Sequence, residues 1–397
     1  STTPVVVSLP AGVTATAIAA GRKTGYAIGS DGTLYAWGYG VDGELGNGTN
    51  IIGGVATTPV AVALPVGITA TAIAAGADTG YAIGSDGTLY AWGQGDRGEL
   101  GNGTTTVIQD SPVAVSLAPG VVPTAIAAGQ ETAYAIGSDG QLYAWGYGGA
   151  GELGNGTMSS TSFQTTPVAV SLPSGVTPTT IAAGYFDGYA VGSDGVLYAW
   201  GYGFDGELGN GTQGPFQTTP DAVSLPAGVT ATAIGAGQLT GYALGSDGTL
   251  YAWGSGANGQ LGNGTMTSFQ TTPVAVSLPS GEVPGPEPAS LSGYAITRPA
   301  VTSHQVTIST VSLPDGSLGK PYLFQLQATG GTPPYTWNKY GPKGMAKLPR
   351  GVSLSRSGLI SGTPKRAGTY GFVVKCLDSS HSHKTQGTQE LTLTVNP

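Results

Sequence analysis

Tryptophan recurs at positions 37, 92, 145, 200 and 253, each time inside the tetrapeptide Tyr-Ala-Trp-Gly. The intervals are 55, 53, 55 and 53 residues. A period near fifty means stacked copies of one supersecondary unit, a propeller or a solenoid, because one unit alone cannot bury its apolar face. This repeat accounts for nearly every residue before about 300 as scaffold.

One unit runs through four alternating or apolar stretches. They are Thr3-Pro-Val-Val-Val-Ser-Leu-Pro10, Ala15-Thr-Ala-Ile-Ala-Ala-Gly21, Gly25-Tyr-Ala-Ile-Gly29 and Thr33-Leu-Tyr-Ala-Trp-Gly38, and the unit closes in Gly43-Glu-Leu-Gly-Asn-Gly-Thr49. Ser30-Asp31-Gly32 between two such runs reads as a hairpin, with Asp-Gly supplying the positive φ angles of a type I′ turn. Four short strands per unit make one propeller blade. The Ala-Ala-Gly strand has the smallest side chains and is expected innermost, where blades crowd the axis. Tyr35 and Trp37 are expected further out, filling the gap between blades, each burial worth about 2–3 kcal/mol.

These residues resemble the regulator-of-chromosome-condensation repeat, which carries the same Ala-Ala-Gly, Ser-Asp-Gly, Tyr-Ala-Trp-Gly and Gly-x-Leu-Gly-Asn-Gly-Thr elements over about residues 1–300. The resemblance implies a propeller, typically seven-bladed. Members of that family include a chromatin-bound exchange factor and a secreted bacterial inhibitor of β-lactamases. Two departures matter. The family often places His-Thr or His-Ser after Ala-Ala-Gly, whereas this chain has Lys23-Thr24, Thr79, Thr132, Asp187 and Thr240 there. The blade count is also short. A sixth unit is traceable in Thr272–Pro279 and Ser292–Ile296, but Pro284, Pro286 and Pro288 fall where its innermost strand belongs, and proline donates nothing to a ladder. The expected fold is therefore all-β: a propeller of five clear blades plus a degenerate sixth over residues 1–309, then a second domain over 310–397. In a closed ring, residues 4–10 would complete the last blade.

From about 310 the repeat stops. Gly330-Gly-Thr-Pro-Pro-Tyr-Thr-Trp337 and Gly358-Leu-Ile-Ser-Gly-Thr-Pro-Lys-Arg-Ala-Gly-Thr-Tyr370 resemble the Ig-like, cadherin-like module of bacterial surface proteins. That resemblance implies a small β-sandwich used as a spacer or stalk, and the alternation in Tyr322–Gln327 and Leu391–Val395 agrees with it. Val395-Asn-Pro397 reads as a module boundary beyond which a natural chain would continue. Cys376, the one cysteine, falls on the face of Tyr370, Phe372 and Val374 and is expected to be a buried structural thiol.

Composition narrows the function. Only 9% of the 397 residues are charged, while 40% are apolar and Gly numbers 69, which suits a turn-rich β protein and not a disordered one. No apolar run is long enough to span a membrane as a helix. Residues 1–300 carry net charge −15 and residues 301–397 carry +7, together the −8 of the chain. An acidic repeat region argues against nucleic acid, whose phosphates call for a basic footprint.

Little chemistry is left over. Gly38-Tyr-Gly-Val-Asp-Gly43 spells G-x-G-x-x-G, but no helix follows to present its N-terminus to a phosphate, so it reads as a loop. Asn-Gly-Thr at Asn47, Asn102, Asn155, Asn210 and Asn263 reads as a turn rather than as a glycan acceptor. Glu44, Glu99, Glu152 and Glu207, with Gln260 in the fifth unit, hold one repeat position. One carboxylate in every blade is structural patterning, not an acid–base pair in two distinct environments. His304, His381 and His383 lack a third metal ligand and read as loop residues. No catalytic residue, metal site or cofactor is therefore assigned.

The variation between otherwise matching repeats lies in two loops. There Tyr185, Phe186, Asp187, Tyr202 and Phe204, with Tyr147, Gln130 and Glu131, form the candidate binding patch. Pro4, Val5, Val6, Val7, Ser8 and Leu9 form the candidate assembly strand, able to complete a blade in its own ring or in the next subunit's. The expectation is a non-catalytic exported protein at the cell surface or outside the cell, structural or adhesive, polymerising head to tail. The alternative is an inhibitor-like propeller that captures a protein or a glycan.

Overall fold

The computed structural model describes residues 5–49, 54–279, 282–284, 297–299, 306–329, 335–340, 347–377 and 386–397, the side chains at 159–162, 282–284, 297–299, 307, 329 and 340 excepted. All its regular elements are strands. The chain divides into two compact units, Ser1–Arg298 and Pro299–Pro397.

The first unit contains five four-stranded antiparallel sheets, each formed by four strands consecutive in sequence. In blade 1 these are Ala15–Ala20, Thr24–Gly29, Leu34–Tyr39 and Val55–Ala61. Blades 2 to 5 repeat the order, opening at Ala70–Ala75, Pro123–Ala128, Pro178–Ala183 and Ala231–Ala236. The proline-bearing segment, Thr57-Thr-Pro-Val60 in blade 1 and Thr218-Thr-Pro-Asp221 in blade 4, forms the outermost strand, an edge where a missing N–H is tolerated. It completes the blade before it in sequence rather than opening the next. In the N-terminal copy of this segment, residues 5–9 lie in no strand, and Pro4 falls outside the described residues. Of the sixth unit, Glu282–Pro284 pairs with Thr297–Pro299, and the rest lies outside the described residues.

The Ala-Ala-Gly strand is innermost for a steric reason. A Cβ added at Gly21 or Gly76 would sit 2.7 or 2.8 Å from the carbonyl oxygen of Gly76 or Gly129 in the next blade, and the approach of Gly129 to Gly184 is closer still. Only glycine permits that packing around the axis.

Between blades, the tryptophan is the wedge. Trp92, Trp145, Trp200 and Trp253 are fully buried, and each indole meets a tyrosine of the preceding blade edge to face. The centroid separations to Tyr26, Tyr81, Tyr134 and Tyr189 are 5.9, 6.0, 5.6 and 5.9 Å. Tyr90 and Trp92 share one cluster with Tyr26, Leu34 and Leu45 of blade 1, as the bulk of the Tyr-Ala-Trp strand requires.

The Ser-Asp-Gly hairpin departs from the expected type I′ turn. Gly32 has φ of 78°, but no non-glycine residue described has positive φ. The Gly32 N–H bonds to Gly29 O at 2.9 Å and the Gly29 N–H to Thr33 O at 2.8 Å. This is a type I turn followed by a left-handed glycine, the three-residue hairpin alternative. Asp31 prefers it because its carboxylate caps the loop, accepting the Thr33 N–H at 3.1 Å and the Tyr35 hydroxyl at 2.9 Å.

The second unit has a four-stranded sheet, ordered Gly316–Ser317, Gln386–Asn396, Gly368–Leu377, Thr336–Tyr340, and a three-stranded sheet, ordered Tyr322–Gln325, Leu359–Gly362, Val352–Leu354. Its core gathers Trp337, Ile360, Phe372, Val374, Cys376, Leu391 and Leu393, so the cysteine is buried where the alternation placed it. Thr307–Ile308, ahead of the expected boundary at 310, pairs with Ala328–Thr329, and Val306 and Ile308 belong to this core.

Candidate functional site

The repeated glutamate organises each blade junction. The main-chain carbonyl of Glu44 accepts the Tyr26 hydroxyl of its own blade at 2.6 Å and the Trp92 indole N–H of the next at 2.9 Å. Glu99, Glu152 and Glu207 receive Trp145, Trp200 and Trp253 in the same way at 2.8, 2.8 and 2.7 Å. One carboxyl oxygen folds back to accept the N–H two residues earlier, at 2.9 Å in Glu44 and 2.7 Å in Glu152. The other oxygen of Glu44, Glu152 and Glu207 is buried with no partner among the described residues. Burial therefore favours the neutral acid, raising these carboxyls from the ordinary 4.5 to about 7 in Glu44, Glu99 and Glu152 and to about 8 in Glu207. All four equivalent carboxyls fold back onto their own junction loop and hold it in place.

Asn47 confirms the turn reading of Asn-Gly-Thr. Its Oδ1 accepts the Thr49 N–H at 3.1 Å and the Thr49 hydroxyl at 2.8 Å. The following Gly48 N–H crosses to Asp110 O of blade 2 at 2.9 Å. His304, His381 and His383 lie outside the described residues.

The structure sorts the sequence-predicted patch into two connected groups and removes one member. Tyr185, Phe186, Tyr202 and Phe204 do meet, with ring centroids 4.5 Å apart for Tyr185–Phe186, 6.2 Å for Phe186–Tyr202 and 5.1 Å for Tyr202–Phe204. Phe216 joins them, 5.8 Å from Phe204 and 6.2 Å from Tyr202. Phe204 is 42% exposed and Phe216 38%, large values for phenylalanine on a rigid β scaffold. The second group surrounds Tyr147. Phe163 lies 6.3 Å from its ring, Arg97 stacks over it at 5.3 Å, and Glu131 pairs with Arg97 at 2.5 Å. Gln130 links the groups, its N–H donating to Tyr185 O at 3.3 Å. Gln130 and Tyr185 also line an axial cavity of about 570 Å³ with Arg22, Gln238 and Asn258.

Asp187 is not displayed. It is 2% exposed and takes the strand position that threonine fills in the other blades. Its carboxyl lies 2.6 Å from the Tyr189 hydroxyl, which is also 2.7 Å from Glu207 O. One phenolic proton cannot serve both acceptors. A protonated Asp187 donating to Tyr189, which donates to Glu207 O, satisfies all three, in keeping with a carboxyl that burial raises to about 7.

Phe163 and Phe216 were missed, though a signal existed. Phe163, Phe216 and Phe269 each open Phe-Gln-Thr-Thr-Pro on the outer strand. The strand register sets Phe216 directly opposite Tyr202.

Residues 1–290 match the RCC1-like domain family, and residues 299–396 match the "Putative Ig domain" family. The chain belongs to the RCC1-like domain family. Among curated relatives, it is 32% identical over 251 residues to the Ultraviolet-B receptor UVR8 of Arabidopsis thaliana, covering 63% of this chain and 54% of that protein. It is 30% identical over 269 residues to the E3 ubiquitin-protein ligase HERC2 of Homo sapiens, covering 67% of this chain and 5% of that protein. Its RCC1-like fold recurs in human WBSCR16, with TM-score 0.64 and 21% identity over 72% of this chain and 73% of that one. It also recurs in Prp20p of Saccharomyces cerevisiae, with TM-score 0.60 and 22% identity over 68% and 65%.

Proposed function

We propose that this chain is a non-catalytic, exported structural or adhesive component of a cell surface, whose RCC1-like propeller binds protein and whose copies associate with one another. The observation that carries this reading is the N-terminal segment. Val5, Val6 and Val7 are 71%, 93% and 44% exposed, while the equivalent of Val7 in the complete blades, at Val62, Val115, Val170 and Val223, is 5–7% exposed. Three consecutive exposed valines that join no sheet among the described residues would gain both ladder hydrogen bonds and apolar burial by pairing as a strand with a second chain. The conspicuous carboxyls are already committed to structure, at blade junctions or in hairpin caps, which supports a non-enzymatic role. Export rests on the Ig-like module and the low charge. The opposite charges of the two halves, −15 and +7, favour docking of the basic module of one copy on the acidic propeller of another, weakly at high salt.

Prp20p, which shares this fold and binds Gsp1p and histones, supports protein as the ligand class. A second reading, capture of a foreign protein or glycan, is favoured by the five-ring run from Tyr185 to Phe216, since clustered exposed aromatics are the usual anchors of recognition.

Negative-stain imaging of the full chain, of a form lacking residues 1–10 and of one lacking 310–397 tests the assembly reading. Polymers from the full chain that are lost with residues 1–10 support it. Single particles from the full chain at high concentration and low salt overturn it in favour of the second reading.

A further inference from the structure

At one buried position blade 4 carries a residue that no other blade has. Thr24, Thr79, Thr132 and Thr240 open the second strand of blades 1, 2, 3 and 5, and Asp187 stands in their place in blade 4. The hydroxyls of Thr24, Thr79 and Thr132 donate to the main-chain carbonyls of Tyr39, Gln94 and Tyr147 at 3.1, 3.1 and 2.8 Å, tying the strand to the loop that follows Tyr-Ala-Trp-Gly. Asp187 makes other bonds. One oxygen meets the Tyr189 hydroxyl at 2.6 Å, and the other accepts the Phe186 N–H at 3.3 Å.

The carboxyl therefore links two parts of the structure. One is the junction of blades 4 and 5, where Glu207 O receives the Tyr189 hydroxyl and the Trp253 N–H, both at 2.7 Å. The other is the aromatic run, in which the Phe186 ring meets Tyr185 at 4.5 Å and Tyr202 at 6.2 Å. The link tolerates only a neutral carboxyl. With Asp187 protonated, the acid donates to Tyr189 and Tyr189 donates to Glu207 O. With Asp187 ionised, the single phenolic proton goes to the carboxylate, and Glu207 O faces a phenolic lone pair at 2.7 Å. Nor is there room for water beside the charge, since Asp187 is 2% exposed and a Cβ at Gly184 would lie 2.6 Å from its Oδ2. The ionisable groups that face it are Tyr189 and Glu207 of its own blade and Tyr134 and Glu152 of blade 3, none of them a cation. A buried carboxylate with no counter-ion among the described residues is expelled towards solvent rather than kept in place.

We propose that Asp187 is a proton-operated latch for the aromatic run: neutral, it holds Phe186 against Tyr185 and Tyr202, and ionised, it leaves its site and carries Phe186 off Tyr202, splitting the run. The moving element is the short turn between the strands Pro178–Ala183 and Asp187–Gly192, which contains Tyr185 and Phe186. The direction follows from burial, which raises the Asp187 carboxyl from the ordinary 3.8 to about 7, so the latch opens as pH rises through that value. This inference rests on the second reading, in which the run is a recognition surface, and specifies its regulation: a partner is held below neutral pH and released above it.

The test replaces Phe186 by para-fluorophenylalanine in the full-length chain and follows the fluorine resonance from acidic to alkaline pH, with no partner present. The expected result is one titration centred near 7, the ratio of the two states changing about a hundredfold over two pH units. Asp187→Asn, which keeps the shape and cannot ionise, and Asp187→Thr, which restores the residue of the other blades, are each expected to abolish it. Glu207→Gln is expected to keep it. Circular dichroism verifies the fold of each variant, and Asp187→Thr carries the comparison where Asp187→Asn does not fold. A resonance that stays fixed in the parent chain, or that titrates alike in a folded Asp187 variant, overturns the latch and leaves the recognition reading standing. Binding that survives Phe204→Ala with Phe216→Ala overturns the recognition reading and leaves the latch.

Discussion

Replacing Trp145 by alanine isolates what holds the array together. Trp145 is fully buried between blades 2 and 3, packed against Tyr81 at 6.0 Å and bonded to Glu99 O at 2.8 Å. Truncating a buried tryptophan costs about 3–5 kcal/mol in lost transfer energy plus the cavity. The edge-to-face contact adds about 0.5–1.5 kcal/mol. The lost hydrogen bond adds little, because Glu99 O keeps the Tyr81 hydroxyl at 2.7 Å and is not orphaned. The rigid glycine contacts at the axis limit collapse into the cavity, so about 4 kcal/mol is the working figure. Trp37→Ala is the internal comparison. The same residue in the same strand is only half-buried among the described residues, and its loss is expected to cost about 1–2 kcal/mol. Urea unfolding followed by tryptophan fluorescence and circular dichroism, with a shift of midpoint at constant slope, reads both values. Equal costs for the two substitutions, or a cost under about 1 kcal/mol for Trp145→Ala, would show that the indole is not the wedge between blades.

Other outcomes follow from the same geometry. The junction glutamates have folded pKa values of about 7 to 8 against an ordinary 4.5, so their contribution is complete below pH 4.5 and is lost as pH rises towards 7 to 8. Replacing Glu44, Glu99, Glu152 and Glu207 by glutamine, as Gln260 already stands, is expected to raise the melting temperature at pH 8 and flatten its pH dependence above 5; an unchanged profile counts against neutral junction carboxyls. The hairpin aspartates Asp31, Asp86, Asp139, Asp194 and Asp247 are held below the ordinary carboxylate range by hydrogen bonds from backbone and tyrosine hydroxyl groups, so their contribution disappears as pH falls below about 4. Gly129→Ala drives a methyl into Gly184 O and is expected to cost more than about 2 kcal/mol by the same urea assay, whereas Gly120→Ala, a positive-φ glycine with open space around it, costs about 1 kcal/mol. Phe204→Ala with Phe216→Ala is expected to change stability by under about 1 kcal/mol and to abolish binding if the aromatic run is the recognition surface; unchanged binding would place that surface elsewhere.

The blade order was legible because period, turn and small-residue strand all pointed to one architecture. The tryptophan spacing gave the array, and Ala-Ala-Gly gave the axis, since glycine there answers a backbone contact that recurs in each internal blade. Three features stayed hidden for physical reasons. The role of Glu44 lies mainly in its carbonyl, which every residue has, so side-chain reasoning weighed the wrong atom. Asp187 looked like loop variation, but it opens a strand, where register turns it inward to Tyr189. Phe216 recurs in sequence in Phe-Gln-Thr-Thr-Pro, but the loop from Asn210 to Pro215 differs between blades, and only the ladder shows that it lands opposite Tyr202. The hairpin was located correctly yet assigned the wrong turn, since Asp31 keeps negative φ to cap the loop with its carboxylate.

Sedimentation velocity of the full-length chain across a hundredfold concentration range tests the central claim, that this propeller is a protein-binding scaffold that recognises its own kind. The account predicts a weight-average mass that climbs from the 39.4 kDa of one chain to several multiples of it, and that falls back when residues 1–10 are removed. A mass fixed at 39.4 kDa throughout, at low salt, would contradict it.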